Sequence, residues 1–348
     1  MRVSADAHFG RMEEHFEMEE ELMQAGKQGV IRLCVDKLSG HVYVCKSVFL
    51  EGCSDEKARN ARSEIATLTI VQLHPNIVAL ISHFEGTSAI HMIMEHCEGG
   101  DLFEHLSLKW RQYVQPYQAC TRHDGGGQYT ALKGWYLSEK DVAQIFMASL
   151  KAVAFCHDHG IMHGDIKLEN LLLPHHGCSY SDIKLCDFGS AAPFSAAGKR
   201  NSVRRRICTF TYAAPEIIQA ARNREEHCVD EKGDIWSLGV LLYLLVFWRL
   251  PFAGDTPKEL LNSMRDDLAD DDWLDNRFER LPHPEVSLLA RNLLKNMMQL
   301  DPLKRPSARS LLMHPWMMRY NGLASNVAPN QSRKFEHSLC ESCSSPTS

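Results

Sequence analysis

Ile161-Met162-His163-Gly164-Asp165-Ile166-Lys167-Leu168-Glu169-Asn170-Leu171-Leu172-Leu173 places an acid, a base and an amide within six positions between two apolar runs. That pattern suits a loop held rigid by flanking strands. In such a setting Asp165 can orient and deprotonate a hydroxyl, Lys167 can neutralise a transferring phosphoryl group, and Asn170 can bind a divalent metal. Seventeen residues after Asn170 stands Asp187, in Lys184-Leu185-Cys186-Asp187-Phe188-Gly189, a strand that ends in an acid, an apolar residue and a glycine. A metal-binding carboxylate at a strand end has this setting. The order Asp, Lys, Asn and then Asp-Phe-Gly is the strongest signal in the chain.

Upstream of this centre, short β-rich runs alternate with turns: residues 30–35, the turn Leu38-Ser39-Gly40-His41, and residues 42–48, followed by a helical stretch over 55–72. This predicts a small, mostly antiparallel sheet carrying one helix. Downstream of Ser138 helical periods dominate, over 142–157, 234–248, 256–264 and 284–299. The fold class is therefore α+β, with a sheet lobe over about 16–95 and a larger, mainly helical lobe over about 101–316. Glu95-His96-Cys97-Glu98-Gly99-Gly100 has the adjacent glycines and the polarity of a strand-to-helix connector, and the junction is placed there. The cleft between the lobes is the default ligand site. Residues 1–15 read as an N-terminal extension and 317–348, rich in Ser, Asn and Pro, as a disordered tail. Residues 107–136 show no clean period, a Gly125-Gly126-Gly127 run and the aromatics Trp110, Tyr113, Tyr117, Tyr129, Trp135 and Tyr136. They read as a mobile surface insertion, with partner docking as the alternative.

The chain has 348 residues, 44% apolar and 24% charged, which is ordinary globular composition with enough length for roughly two domain-sized cores. A net charge of −6 provides no whole-protein basic field for a phosphate backbone, so nucleic acid is not an expected partner. The most apolar window, 238–248, is about half of the ~20 residues that cross a bilayer and reads as a buried helix. Met1-Arg2-Val3 and the acidic residues after it lack a signal peptide's apolar core, and Arg2 stands where myristoylation requires glycine. A cytoplasmic protein with access to the nucleus and no membrane anchor is expected. The twelve cysteines are scattered, several within apolar runs (Cys34, Cys45, Cys97, Cys156, Cys186), and read as reduced core thiols. Cys340-x-x-Cys343 has no second Cys/His pair for a zinc site.

On these motifs the sequence resembles the eukaryotic protein kinase family over about residues 16–316. The catalytic-loop motif is His163-Gly164-Asp165-Ile166-Lys167-Leu168-Glu169-Asn170, the metal motif Asp187-Phe188-Gly189, and the end of the activation segment Ala214-Pro215-Glu216. Asp234-Ile235-Trp236-Ser237-Leu238-Gly239, His74-Pro75-Asn76-Ile77-Val78 and Arg305 in Asp301-Pro302-Leu303-Lys304-Arg305-Pro306 match as well. The resemblance implies a two-lobed fold that transfers the γ-phosphoryl of ATP to protein hydroxyls. It implies that Lys46 holds the α- and β-phosphates and pairs with Glu64, that Asp187 and Asn170 ligate Mg²⁺ or Mn²⁺, and that Asp165 accepts the hydroxyl proton. Gly26 and Gly29 belong to the phosphate loop. Adenine lies between Ile31 and Val44 above and Leu172 below, the backbone of Glu95 and Cys97 bonds the ring edge, and Met94 is the gatekeeper. Asp101 reaches the ribose or a basic substrate residue, as Glu169 can, so Arg or Lys upstream of the target is favoured. Glu216 and Arg305 are expected as a buried ion pair, and His163 as a packing element. His157, Asp158 and His159 read as a solvated helix end.

The sequence also departs from the family. The glycine-rich loop reads Gln24-Ala25-Gly26-Lys27-Gln28-Gly29, with Gln at the first glycine and at the usual aromatic cap. Val44 replaces alanine over the adenine, and Phe210 replaces a proline. Gly164 replaces arginine, which removes the guanidinium that would clamp an activation-segment phosphate, and the usual phosphosite falls on Arg205. Activation by phosphate at that position is therefore not expected; Ser195 and Ser202 are other candidate sites. Lys167 and Thr209 look like the serine/threonine version, and the whole is similar to the calcium/calmodulin-dependent and plant calcium-dependent group reduced to a catalytic domain, with no EF-hand loop and no fused calcium sensor expected. A pseudokinase scaffold that binds nucleotide weakly and docks partners through 107–136 is the alternative. The aspartates at 266, 267, 270, 271 and 272 read as a solvated face.

Overall fold

The strand-forming runs near the start of the chain pair into one antiparallel sheet. A computed structural model describes residues 12–24, 29–51, 55–121, 137–194, 202–203, 210–223, 227–228, 230–280 and 286–321. After a short helix α1 (Met12–His15) come β1 (Phe16–Gln24), β2 (Val30–Asp36), β3 (Val42–Phe49), α2 (Asp55–Val71), β4 (Leu80–Glu85) and β5 (Ala89–Glu95), with strand order β1-β2-β3-β5-β4. The β2–β3 turn is fixed by Asp36, whose Oδ1 accepts from the amides of Leu38 and Ser39, and by Gly40 at φ +72°. Register pairs Ile31 with Lys46 and Leu33 with Val44, so Ile31, Val44 and Lys46 share one face of the sheet. The other face buries Cys34, Cys45, Phe84 and Ile93 under Met12 and Phe16. Residues 12–15, expected as part of an extension, thus pack on the sheet because Met12 completes that outer cluster. Helix α2 turns Ala61, Glu64, Ile65, Leu68 and Val71 inward at helical spacing, which brings Glu64 under β3.

The second lobe contains α3 (Leu102–Thr121), α4 (Glu139–Asp158), β6 (Ile161–Met162), β7 (Leu171–Leu172), β8 (Lys184–Leu185), β9 (Ala192–Pro193), β10 (Ser202–Val203), α5 (Pro215–Asn223), β11 (His227–Cys228), α6 (Lys232–Phe247), α7 (Pro257–Leu268), α8 (Trp273–Arg280), α9 (Leu288–Met297), α10 (Ala308–Leu312) and α11 (Pro315–Asn321). Every residue from Gly233 to Phe247 is buried, so α6 is a central post and not an amphipathic surface helix. Two short antiparallel ladders, β6 with β9 and β7 with β8, lie between the lobes and carry the loops that follow them.

The segment expected as an insertion begins as helix: α3 runs on to Thr121, and 122–136 lie outside the described residues. Likewise α11 continues past Trp316 to Asn321 with Met317 buried, five residues into the stretch expected as tail. Cys34, Cys45, Cys97, Cys156, Cys178 and Cys186 are free thiols. No helix among the described residues is long and apolar enough to cross a membrane.

Candidate active site

The loop after β6 is held from below by Asp234, a fully buried carboxylate in the first turn of α6. Its Oδ2 accepts from the His163 amide at 2.8 Å and its Oδ1 from the Gly164 amide at 2.8 Å. Oδ2 also meets His157 Nε2 at 2.9 Å. Burial pushes this carboxyl up, but the His157 bond, both nearby histidines and the loop amide together hold it below the usual carboxylate range. His157 is therefore no solvated helix end: its ring is 8% exposed, because α4 delivers it against the start of α6. Asp158, by contrast, pairs with Arg309 on the surface.

His163 is fully buried, with its ring edge-on to Phe188 at 4.8 Å between centroids. Its Nε2 donates to the Cys186 carbonyl at 3.0 Å and its Nδ1 accepts from the Asp165 amide at 3.2 Å, so both nitrogens are engaged in the neutral form. Burial keeps its pKa low. Gly164 has φ +76°, a conformation that costs an L-residue about 1–2 kcal/mol.

Two side chains converge on Asp165. Lys167 Nζ lies 2.7 Å from its Oδ2, and Asn170 Nδ2 donates to its carbonyl at 2.7 Å and to Oδ2 at 3.1 Å. Burial works against the Lys167 ammonium, but the Asp165 bond and the carboxylates of Asp165, Glu169 and Asp187 raise its pKa. Asn170 is tied to the next strand through Cys186, whose amide donates to its carbonyl at 2.9 Å. Just beyond, Asp187 adopts a left-handed backbone at φ 57° and caps the following turn, its Oδ1 accepting from the Gly189 amide. Lys46 Nζ meets Glu64 at 2.7 and 2.9 Å and Asp187 Oδ1 at 3.4 Å. Burial disfavours the ammonium, yet Glu64 and then Asp187 more than offset this and raise its pKa.

Above this centre, Ile31 and Val44 lie on the sheet face that carries Lys46, Val44 pairs with Met94, and half-buried Leu172 bridges to Asp101. Asp101 is spent in part on structure, its Oδ1 capping α3 through the Glu104 amide at 2.8 Å. Cys97 is buried in the connector, and burial, with Glu95 adding to it, pushes its thiol up to about 12. Gly29 has φ +142°, and a Cβ there would stand 2.1 Å from the Ser47 carbonyl, so glycine is needed there for strand contact. Gly26, Gln28, Ser195, Arg205 and Thr209 lie outside the described residues, and of Gln24 only the backbone is described, paired with Val30. Away from the cleft, Arg305 Nη1 and Nη2 hold Glu216 at 2.6 and 2.8 Å. Sequence reading noted Asp234 only within a motif that matches the family and took His157 for solvated; a lone acid in the first turn of an otherwise apolar helix was the available signal for the anchor.

Among known proteins, the family described as "Protein kinase domain" matches residues 18–317. Calcium-dependent protein kinase 14 of Arabidopsis thaliana is 30% identical over 304 residues, covering 87% of this chain and 49% of that protein. Calcium-dependent protein kinase 8 of the same plant is 32% identical over 313 residues, covering 88% and 49%. The chain thus spans about half the length of the curated relatives it matches. The twitchin kinase region from C. elegans superposes with a TM-score of 0.69 at 23% identity, over 92% of this chain and 52% of that one, and shares the two-lobed fold.

Proposed function

Since this chain belongs to the protein kinase family, we propose that it is a protein serine/threonine kinase acting on ATP. The observation that carries this reading is a pair of side-chain sets, Glu64–Lys46–Asp187 and Lys167–Asp165–Asn170, joined where the Cys186 amide, next to Asp187, donates to the Asn170 carbonyl. Phosphoryl transfer depends on positioning and charge more than on covalent help from the protein, and each positioning role has an occupant. Lys46, restrained by Glu64, faces the α- and β-phosphates. Asp165 orients the incoming hydroxyl and takes its proton, while Lys167 beside it faces the transferred group.

A divalent cation fits these residues. The Asp187 side chain is 42% exposed, and Asn170 spends its amide nitrogen on Asp165, which leaves its oxygen to a hard cation. Asp187 and Asn170 are the residues that would hold it. Mg²⁺ or Mn²⁺ held there supplies charge neutralisation at the phosphates. Exposed Glu169 and half-buried Asp101 supply negative charge for basic residues upstream of the target.

The test is transfer of label from Mg-ATP into a positional Ser/Thr peptide library, comparing the unmodified chain with Asp187→Ala and Lys46→Met. Label well above both variants, richest with Arg or Lys upstream, is the expected result. No transfer by a folded, ATP-binding chain would overturn the reading in favour of a nucleotide-binding scaffold.

A further inference from the structure

Glu95 ends β5 where the strand becomes the connector between lobes, and its carboxylate turns back instead of facing solvent. Oε1 accepts from the Ala79 amide at 2.7 Å, while the Glu95 amide donates to the Ala79 carbonyl at 3.1 Å, so the two residues clasp each other. The same Oε1 meets Lys184 Nζ at 2.9 Å, with the side chains 25% and 18% exposed. Lys184 opens β8, three residues before Asp187. The strip 76–79 runs along β8, with the Leu185 amide donating to Asn76 at 2.8 Å and the Val78 amide to Leu185 at 3.0 Å. Asn76 Nδ2 adds bonds to the Ser181 and Ile183 carbonyls, both at 2.8 Å. The connector and the Asp187 strand are thus fastened to one strip from two sides, and the Glu95–Lys184 pair closes the triangle directly.

We propose that Lys184 and Glu95 are positioning residues that fix the connector, with its adenine-edge backbone at Glu95 and Cys97, relative to the metal-binding Asp187. The proposal rests on the kinase reading. An ordinary surface ion pair contributes little. This one is largely dry, shares its oxygen with a backbone amide, and among the described residues neither charge has a second ionic partner. Because a nucleotide must reach adenine edge and phosphates at once, loosening the pair weakens nucleotide binding while leaving the transfer groups in place.

The experiment measures ATP and ADP affinity by direct titration, without turnover, beside steady-state kinetics. Lys184→Met and Glu95→Gln, the latter keeping the Ala79 bond, each weaken ATP about five-fold, a shift of about 1 kcal/mol. Lys184→Arg binds like the unmodified chain, and Lys184→Met raises KM for ATP while kcat stays within about two-fold. In the double variant the losses do not multiply, as expected of one shared interaction. Unchanged ATP affinity in both single variants, or multiplying losses, would overturn the proposal. A chain that binds ATP with this pattern but transfers nothing would sink the kinase reading alone; one that binds no nucleotide would sink both.

Discussion

Lys46 and Arg305 each meet a glutamate through two short contacts, 2.7 and 2.9 Å to Glu64 in one case, 2.6 and 2.8 Å to Glu216 in the other. What differs is where the other donors go. Arg305 Nε donates to the Gln299 carbonyl, Nη1 also to Lys232 and Nη2 also to Leu300, while the guanidinium lies 5.0 Å from the Trp236 ring. All five of its N–H groups are thereby committed, so this cation can only hold structure. Lys46 spends its third N–H on the long 3.4 Å reach to Asp187, a weak contact that a better acceptor can replace. A buried cation enclosed by structural carbonyls ties elements together; one whose last contact is long and lies at a cleft can exchange it.

The comparison breaks most visibly if the two cations exchange roles under mutation. Lys46→Met is expected to lower phosphoryl transfer by about 10³-fold or more, the scale of losing a preorganised charge at the reacting group. Its melting temperature should stay near that of the unmodified chain, because Glu64, already pushed up by burial, can take a proton once Lys46 is gone. Glu216→Ala should do the reverse. It strands a fully buried guanidinium and is expected to cost about 3–5 kcal/mol, read as a lowered urea midpoint, with transfer per folded molecule retained. Lys46→Met unfolding while Glu216→Ala does not would refute the distinction.

The same contrast marks what could be read in advance. Asp165, Lys167, Asn170 and Asp187 are legible because each sits in a local pattern, a rigid loop or a strand end, whose chemistry follows from neighbours in sequence, while Lys46 and Glu64 are read only through the family resemblance. Two contacts over long separations were not read: His157 meets Asp234 at 77 residues' distance and Lys184 meets Glu95 at 89, whereas Glu216 and Arg305, equally far apart, were expected from the family resemblance. Helix α6 announces itself by an unbroken apolar run. By contrast, α8 is eight residues long and its Trp273, Leu274 and Phe278 follow an acidic stretch that reads as solvated surface. That stretch is partly structural, since Asp267 pairs with Arg277 and Asp270 accepts from Asn276. Gly164 was legible as a lost guanidinium but not as a left-handed residue, because glycine is compatible with every backbone conformation.

Acid sharpens the comparison at smaller amplitude, because the anchor beneath the loop contains neutral and charged members. His163, His74, His91, His105 and His314 all have pKa values lowered by burial. The unfolded chain takes up these protons near pH 6.5 and the folded chain does not, so stability is full above that pH and falls as pH drops below it. Asp234, held low, contributes stability above about pH 4 that is lost only as pH falls further, so it does not add to the loss between pH 7 and 5. Each histidine adds at most about 1.4 kcal/mol per pH unit. Urea unfolding across pH 7 to 5 should therefore show a falling limb, and His163→Phe should make it shallower by up to one proton. An unchanged slope in that variant would show that the imidazole titrates freely in the fold.

Gly164→Arg gives the smallest expected effect and tests whether a cation needs preformed acceptors to hold structure. It adds a guanidinium next to Asp165, where relatives of the family pattern carry one, but without the carboxylate and carbonyls that Arg305 finds. The backbone at φ +76° costs an L-residue about 1–2 kcal/mol, and the Gly164 amide must keep its 2.8 Å bond to Asp234 for the loop to hold its shape. The usual phosphosite of the family pattern falls on Arg205, so that partner is absent as well. The variant should melt a few degrees lower, transfer phosphate no faster, and respond to phosphatase no more than the unmodified chain. A gain in activity that phosphatase removes would show that an activation-segment phosphate exists and that the loop lacks only its arginine. The anchoring by Asp234 and His157 would then be insufficient on its own.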